Sequence, residues 1–157
     1  MRTYKDKDGL TLIEMVVVIG IIAMLVAMII GLTSHFENQT KEKGLNCTFA
    51  LLEGALQEYY DYRDAFPDPN LAPYSTHSAA LYGQLNATPD SSKILKKISE
   101  SLIRKTPDQV DMPQICDPWG TMLEYYYSPG DNFPKLVSAG PDKIFGTSDD
   151  IQSGKTN

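Results

Sequence analysis

Three carboxylates stand close together near the end of the chain. Asp142, Asp149 and Asp150 fall within Ser138–Ile151, "SAGPDKIFGTSDDI". Gly140 and Gly146 allow sharp bends there, so the loop can fold back on itself. Carboxylates held together repel one another unless a positive charge sits between them, and a hard divalent cation with oxygen ligands meets that need. Calcium suits such an irregular loop, because it accepts about six to eight oxygens in flexible geometry, whereas magnesium prefers a strict octahedron with retained water. Transition metals call for His or Cys, and this stretch has neither. The spacing is not that of an EF-hand, whose D-x-D-x-D-G run and terminal Glu are missing. On composition alone a solvated acidic turn and a metal site both remain open.

The second residue with chemistry to explain is Glu14. It is the one charge in Leu10–Leu32, a run of 23 residues. As a helix that run spans about 34 Å, enough for a hydrocarbon core of about 30 Å. It is apolar on all sides, unlike a helix of a soluble core. A secretory signal would be shorter and followed by a small-residue cleavage site, and "GLTSHFENQ" offers none. In the leader "MRTYKDKDG", Arg2, Lys5 and Lys7 outweigh Asp6 and Asp8, a weak bias toward a cytoplasmic N-terminus. An acid in such a segment is costly; it either snorkels at the helix end or serves a function that brings a cation to it.

Other chemistries find little support. The chain of 157 residues has a net charge of −6 and a sequence pI of about 4.8. That balance argues against nucleic acid, which needs clustered Lys and Arg. The two histidines, His35 and His77, lie far apart and read as surface residues, and no Ser/His/Asp set suggests a membrane-anchored periplasmic hydrolase. Cys47 and Cys116 fit no zinc spacing. One disulfide and two buried thiols are the alternatives for them.

The apolar run leads into "FENQTKEKGLNCTFALLEGALQEYYDYRDAF", where Leu45, Phe49, Leu52, Leu56, Tyr59 and Tyr60 recur at helical spacing. Lys41, Glu42, Glu53, Glu58 and Asp61 supply a polar face. One helix is expected from about Leu10 to about Tyr62, with Gly31 and Gly44 as weak points of roughly 1 kcal/mol each relative to Ala and with Gly20 and Gly31 able to loosen it. Pro67, Pro69 and Pro73 then break it. A short helix is expected in "STHSAALYGQLN", capped by Ser75 or Thr76. Another is expected in "SSKILKKISESLIRK", capped by Asp90 or Ser91, with Ile94, Leu95, Ile98, Leu102 and Ile103 on its inner side. Lys93, Lys96 and Lys97 read as a solvated face. "TMLEYYYSPG" and "FPKLVSAG" predict an antiparallel hairpin turning at Pro129-Gly130. Leu123, Tyr125 and Tyr127 would share one face on the amphipathic half of the helix, with Trp119 as a core or edge plug.

"Gly9-Leu10-Thr11-Leu12-Ile13-Glu14" ahead of a long apolar helix resembles the class III signal of type IV pilins and pseudopilins. The resemblance implies cleavage by a prepilin peptidase between Gly9 and Leu10, methylation of the new N-terminus, and Glu14 as the fifth mature residue. Leu10 replaces the usual Phe, and Asp8 replaces a common basic residue. The exposed α-amine is the missing cation: a neighbouring subunit's Glu14 would pair with it. Such a pair attracts by about 4 kcal/mol at about 4 Å and an effective dielectric of about 20, before desolvation. Among apolar rods, one buried pair can set axial register.

A narrower similarity follows. "LEGALQEYYDYRDAFP", "DPWG" (Asp117–Gly120) and "SPG" (Ser128–Gly130) resemble the major, G-type pseudopilin of type II secretion. The stretch from about Asp68 to Cys116 is longer and more helical than is usual there. This resemblance implies an α+β, type IV pilin-like fold: a long spine helix on a small antiparallel sheet, with extra short helices in the connecting loop. It divides the chain into a leader at 1–9, a transmembrane half-helix at 10–32 and a periplasmic domain at 33–157. It implies one calcium ion on Asp142, Asp149 and Asp150 and the backbone carbonyls of Ala139 and Thr147. The implied function is structural, not enzymatic: a single-pass inner-membrane subunit that polymerises with itself into a periplasmic pseudopilus. Its partners would be the peptidase, minor pseudopilins, an inner-membrane assembly platform and membrane lipid. A type IV pilin or minor pilin of a surface fibre or DNA-uptake system is the alternative.

Overall fold

The computed structural model describes residues 11–71, 76–105 and 113–154, and for 29–35 it describes the backbone. The chain divides into two compact units, Met1–Gln39 and Thr40–Asn157.

Helix α1 is assigned to Leu12–Arg63, close to the expected bounds, and it is unbroken through Gly20 and Gly31. In the first unit every described side chain from Leu12 to Met28 is exposed. Among the described residues no helix is long and apolar enough to cross a membrane; within Leu10–Leu32 the side chains are described as far as Met28.

In the second unit the amphipathic part of α1 supplies one wall of the core. Leu45, Phe49, Leu52, Leu56 and Tyr59 are buried there, as their spacing predicts, and Ala55 joins them. Each large side chain of this kind contributes about 1.5–3 kcal/mol when fully buried. Tyr60 corrects the sequence reading: it turns off the core face, 37% exposed, and packs on Phe66 at 4.7 Å. Phe66 also meets Tyr127 and Phe133 edge-on, each at 5.2 Å.

Helix α2, His77–Asn86, starts at Thr76, whose hydroxyl accepts from Ala79 N–H at 3.2 Å. Of the two caps considered, Thr76 is the one described. Helix α3 differs from expectation. It runs Pro89–Leu95 with Thr88 at the N-cap, because proline's fixed φ suits the first helical position and its missing N–H costs nothing there. It also ends early. Lys97 and Ile98 N–H close short turns onto Ile94 and Leu95 carbonyls, and a 3-10 turn at Glu100–Leu102 follows. Ile103 therefore lies in strand β1, Ile103–Arg104, and not on the helix. Lys93, Lys96 and Lys97 are exposed as expected, with Lys93 paired to Asp90 at 2.7 Å.

Strand β1 pairs antiparallel with β2, Gln114–Ile115. Ser78 of α2 fixes that ribbon: its hydroxyl donates to the Ile115 carbonyl at 3.0 Å and accepts the Ile115 N–H at 2.7 Å. The predicted hairpin is β3, Glu124–Tyr126, against β4, Lys135–Ser138, with Tyr125 opposite Leu136. Its turn closes through Asp131 N–H to Ser128 carbonyl at 3.0 Å. A third strand, β5 at Ile151–Gln152, adds to β4. Leu123, Tyr125 and Tyr127 all pack into the core, and Trp119 plugs it.

The long connector is tied down by two buried polar side chains. Gln84 accepts from Asp68 N–H at 3.0 Å and donates to Asp68 and Ala80 carbonyls at 2.8 and 3.1 Å. Tyr125 donates its hydroxyl to the Pro67 carbonyl at 2.9 Å; burial pushes this phenol's pKa up, so it stays a donor. The cysteines are not joined: Cys47 is exposed, contrary to the buried-thiol reading, and Cys116 is buried, with its thiol pKa pushed up by burial. His77 is half-buried rather than on the surface, edge-on to Tyr126 at 6.0 Å. The side chain of His35 lies outside the described residues.

Candidate functional site

Two places carry the candidate chemistry, and each belongs to one unit. The first is the start of α1. Gly9 and Leu10 lie outside the described residues; Thr11 and Glu14 do not. The Glu14 carboxylate accepts from Thr11 N–H at 2.8 Å and from the Thr11 hydroxyl at 3.0 Å. In return, Glu14 N–H donates to the Thr11 hydroxyl at 3.4 Å. This is a capping box, in which a Thr and a Glu three residues on satisfy each other's end-of-helix donors. Sequence reasoning missed it, although T-x-x-E before an apolar run is its signature. Both Thr11 donors fall on one oxygen, Oε2. Among the described residues no donor reaches Oε1.

The second place is the acidic loop after β4. Ala139 and Gly140 are buried where it departs. Gly140 has φ +65°, Lys143 +63° and Gly146 +86°, so the backbone is left-handed at three points in the loop. At Gly140 the returning strand comes very close: a β-carbon would sit 2.2 Å from the Asp149 carbonyl oxygen. The loop's acids are held mainly by N–H and O–H donors. Asp142 accepts from Ile144 N–H at 2.8 Å, and its own N–H donates to Asp149 at 3.1 Å. Asp150 accepts from Gly146 N–H at 2.8 Å. The Thr147 hydroxyl donates to Asp149. That bond first, then the one from Asp142 N–H, hold the Asp149 carboxyl below its ordinary pKa.

The structure thus brings Asp142, Asp149 and Asp150 into one loop and links the first two, but each oxygen that is engaged faces its own donor. Among the described residues no group of three or more carboxylate, imidazole or thiol side chains is close enough to hold a metal ion. The three acids offer oxygen donors alone, the kind a hard cation takes, and no Lys or Arg pairs with them among the described residues. Among the described residues Asp150 Oδ1 is buried without a hydrogen-bond partner. An orphaned buried carboxylate oxygen is costly unless something positive reaches it. Of the two backbone ligands expected, Ala139 is fully buried and Thr147 is exposed.

Known proteins agree with the start of α1 and with the chain as a whole. The family model of the prokaryotic N-terminal methylation motif matches residues 4–30. The type II secretion system core protein G of Escherichia coli (strain K12) is 32% identical over 154 residues, covering 96% of this chain and 93% of that protein. No solved structure matches the chain.

The close approach at Gly140 generates a direct test. Gly140→Ala forces a β-carbon onto a backbone carbonyl and into a left-handed conformation that alone costs roughly 1–2 kcal/mol. Denaturant unfolding of the intact chain in detergent is expected to show at least that loss. Gly146→Ala has the φ cost without the collision and is expected to lose less.

Proposed function

The chain belongs to the family of the type II secretion core protein G, the pseudopilins, and on that premise we propose that it is a structural filament subunit matured by cleavage between Gly9 and Leu10. The observation that carries this reading is the methylation motif at 4–30 on a chain similar to core protein G over nearly its whole length. The leader at 1–9 is removed on the cytoplasmic side, and the Leu10 amine is methylated. The run Leu10–Leu32 anchors the chain once in the inner membrane, with the domain from Thr33 onward in the periplasm. Subunits polymerise with one another through their apolar helices and depend on minor pseudopilins and an inner-membrane assembly platform. The apolar stretch Leu12–Met28, exposed at every position, supports this, since so many apolar side chains call for lipid or other helices around them.

Glu14 supplies register. The acid already serves the capping box, yet among the described residues one of its oxygens has no donor. In an apolar bundle that oxygen meets the freed amine of a neighbouring Leu10. The pair gains only if the geometry is good, because both charges leave water. Its larger effect is selective: an axially slipped neighbour strands both charges.

Calcium is the proposed partner of the acidic loop. Asp142, Asp149 and Asp150 would hold it, with the Ala139 and Thr147 carbonyls. The ion would supply a positive charge among three acids that pair with no Lys or Arg among the described residues, and would reach the Asp150 oxygen left without a donor there. A terminal segment with little apolar material gains stability from such a staple, because binding energy for the folded loop is folding energy.

Two outcomes follow. Glu14→Gln keeps a capping-box side chain at this position and removes only the charge. The variant is expected to be processed and inserted normally but to form few filaments, scored by electron microscopy beside the parent. Parent-like filaments would show that Glu14 is a helix cap and nothing more. Separately, calcium at about a hundred times its Kd is expected to add about 2.7 kcal/mol and to raise Tm by roughly 5–15 °C. A melt of the intact chain indifferent to calcium and chelator removes the ion from the account.

A further inference from the structure

Asp117 lies deep in the second unit, 1% exposed, and no Lys or Arg forms an ion pair with it among the described residues. Three donors close its carboxylate. Trp119 and Thr121 N–H reach Oδ1 at 3.0 and 2.8 Å, and the Ser138 hydroxyl reaches Oδ2 at 2.7 Å. The first two belong to Asp117's own turn, which also closes through Asp117 N–H to Thr121 carbonyl at 2.7 Å and Gly120 N–H to Asp117 carbonyl at 3.0 Å. The third crosses to the last residue of β4.

Ser138 is fully buried. With its proton committed to Asp117, its oxygen is presented as an acceptor, and Gly140 N–H donates to it at 3.1 Å. A hydroxyl bonded to an ionised acceptor is itself a better acceptor, because bonds in a chain polarise one another. Gly140 is the residue with φ +65° whose α-carbon faces the Asp149 carbonyl. One run of contacts therefore joins the Asp-Pro-Trp-Gly turn to the point where the acidic loop leaves β4 and meets its own return.

The geometry points to Asp117 as a positioning residue for the acidic loop, acting through the Ser138 hydroxyl on the Gly140 amide. The carboxylate orients the hydroxyl, the hydroxyl holds the left-handed bend at Gly140, and the bend sets where Ala139 and Asp149 stand. The turn and the loop fold as one unit, although twenty-odd residues of chain separate them. The consequence for cation affinity rests on the calcium reading above, whereas the hold on Gly140 does not.

The test compares the intact parent chain in detergent with Ser138→Ala, which leaves both backbone bonds to Asp117 in place, and with Asp117→Asn, which keeps one acceptor oxygen for Trp119 and Thr121. Amide exchange is read residue by residue without metal, and calcium is then titrated by calorimetry. Ser138→Ala is expected to speed exchange at Gly140 about tenfold and leave Ile115 and Leu123 at parent rates. It is also expected to weaken calcium about tenfold, and Asp117→Asn to reproduce both shifts. A parent-like rate at Gly140, or equal acceleration at Ile115 and Leu123, overturns the positioning role. So does unchanged calcium affinity alongside a selectively faster Gly140. If the parent takes up no calcium, the metal reading fails by itself, and selective acceleration at Gly140 still upholds the relay while a parent-like rate ends it.

Discussion

A carboxylate withdrawn from water must find donors or a cation, and that constraint organises this chain more than any other single interaction. Asp117 meets it completely, with two backbone N–H groups and one hydroxyl. The Asp117 turn, the end of β4 and the root of the acidic loop are fastened in doing so. Glu14 is exposed in this chain and engages one oxygen with both donors of Thr11; the constraint would act on it only in the proposed bundle. Asp150 meets it on one oxygen and leaves the other buried and bare. The proposed roles follow that gradient. In the proposed roles the fully satisfied acid is structural, and the incompletely satisfied ones would take an external charge: a neighbour's amine at Glu14, a divalent ion at Asp150.

The domain around these acids is built so that polar groups replace missing apolar mass. One face of α1 supplies Leu45, Phe49, Leu52 and Leu56 to the core, and the sheet returns Leu123, Tyr125 and Leu136. The connector between them holds on by Gln84 and Ser78, each of which satisfies both a backbone donor and a backbone acceptor. Buried amides and hydroxyls used this way fix one arrangement, because any other leaves peptide groups unpaired. The connector is thereby an integral layer of the fold, packed through Leu81, Leu85, Leu95 and Ile98.

How far the sequence reveals this depends on the range of the physics involved. Helical spacing from Leu45 to Tyr59 marks the core face because periodicity is local and repeated. The hairpin was legible from alternation at Leu123, Tyr125 and Tyr127 and from the Pro-Gly turn. Strands β1, β2 and β5 were not, since two residues carry no alternation to read. The start of α3 was misplaced by one signal outweighing another: Ser and Asp look like caps, but Thr88-Pro89 opens the helix. The three loop acids could be named from their types and glycines. Their actual partners could not, because each is a backbone N–H or hydroxyl placed by the turn itself. The capping box of Thr11 and Glu14 is written in the sequence as T-x-x-E ahead of an apolar run, a short-range role for an acid whose setting also invites a longer-range one.

The account's central claim is that maturation frees an amine for an acid otherwise incompletely satisfied. It is tested most directly by co-expressing the intact chain with a prepilin peptidase and determining the N-terminus by mass spectrometry. The account predicts a chain beginning at methylated Leu10. Retention of Met1–Gly9 under those conditions would contradict it.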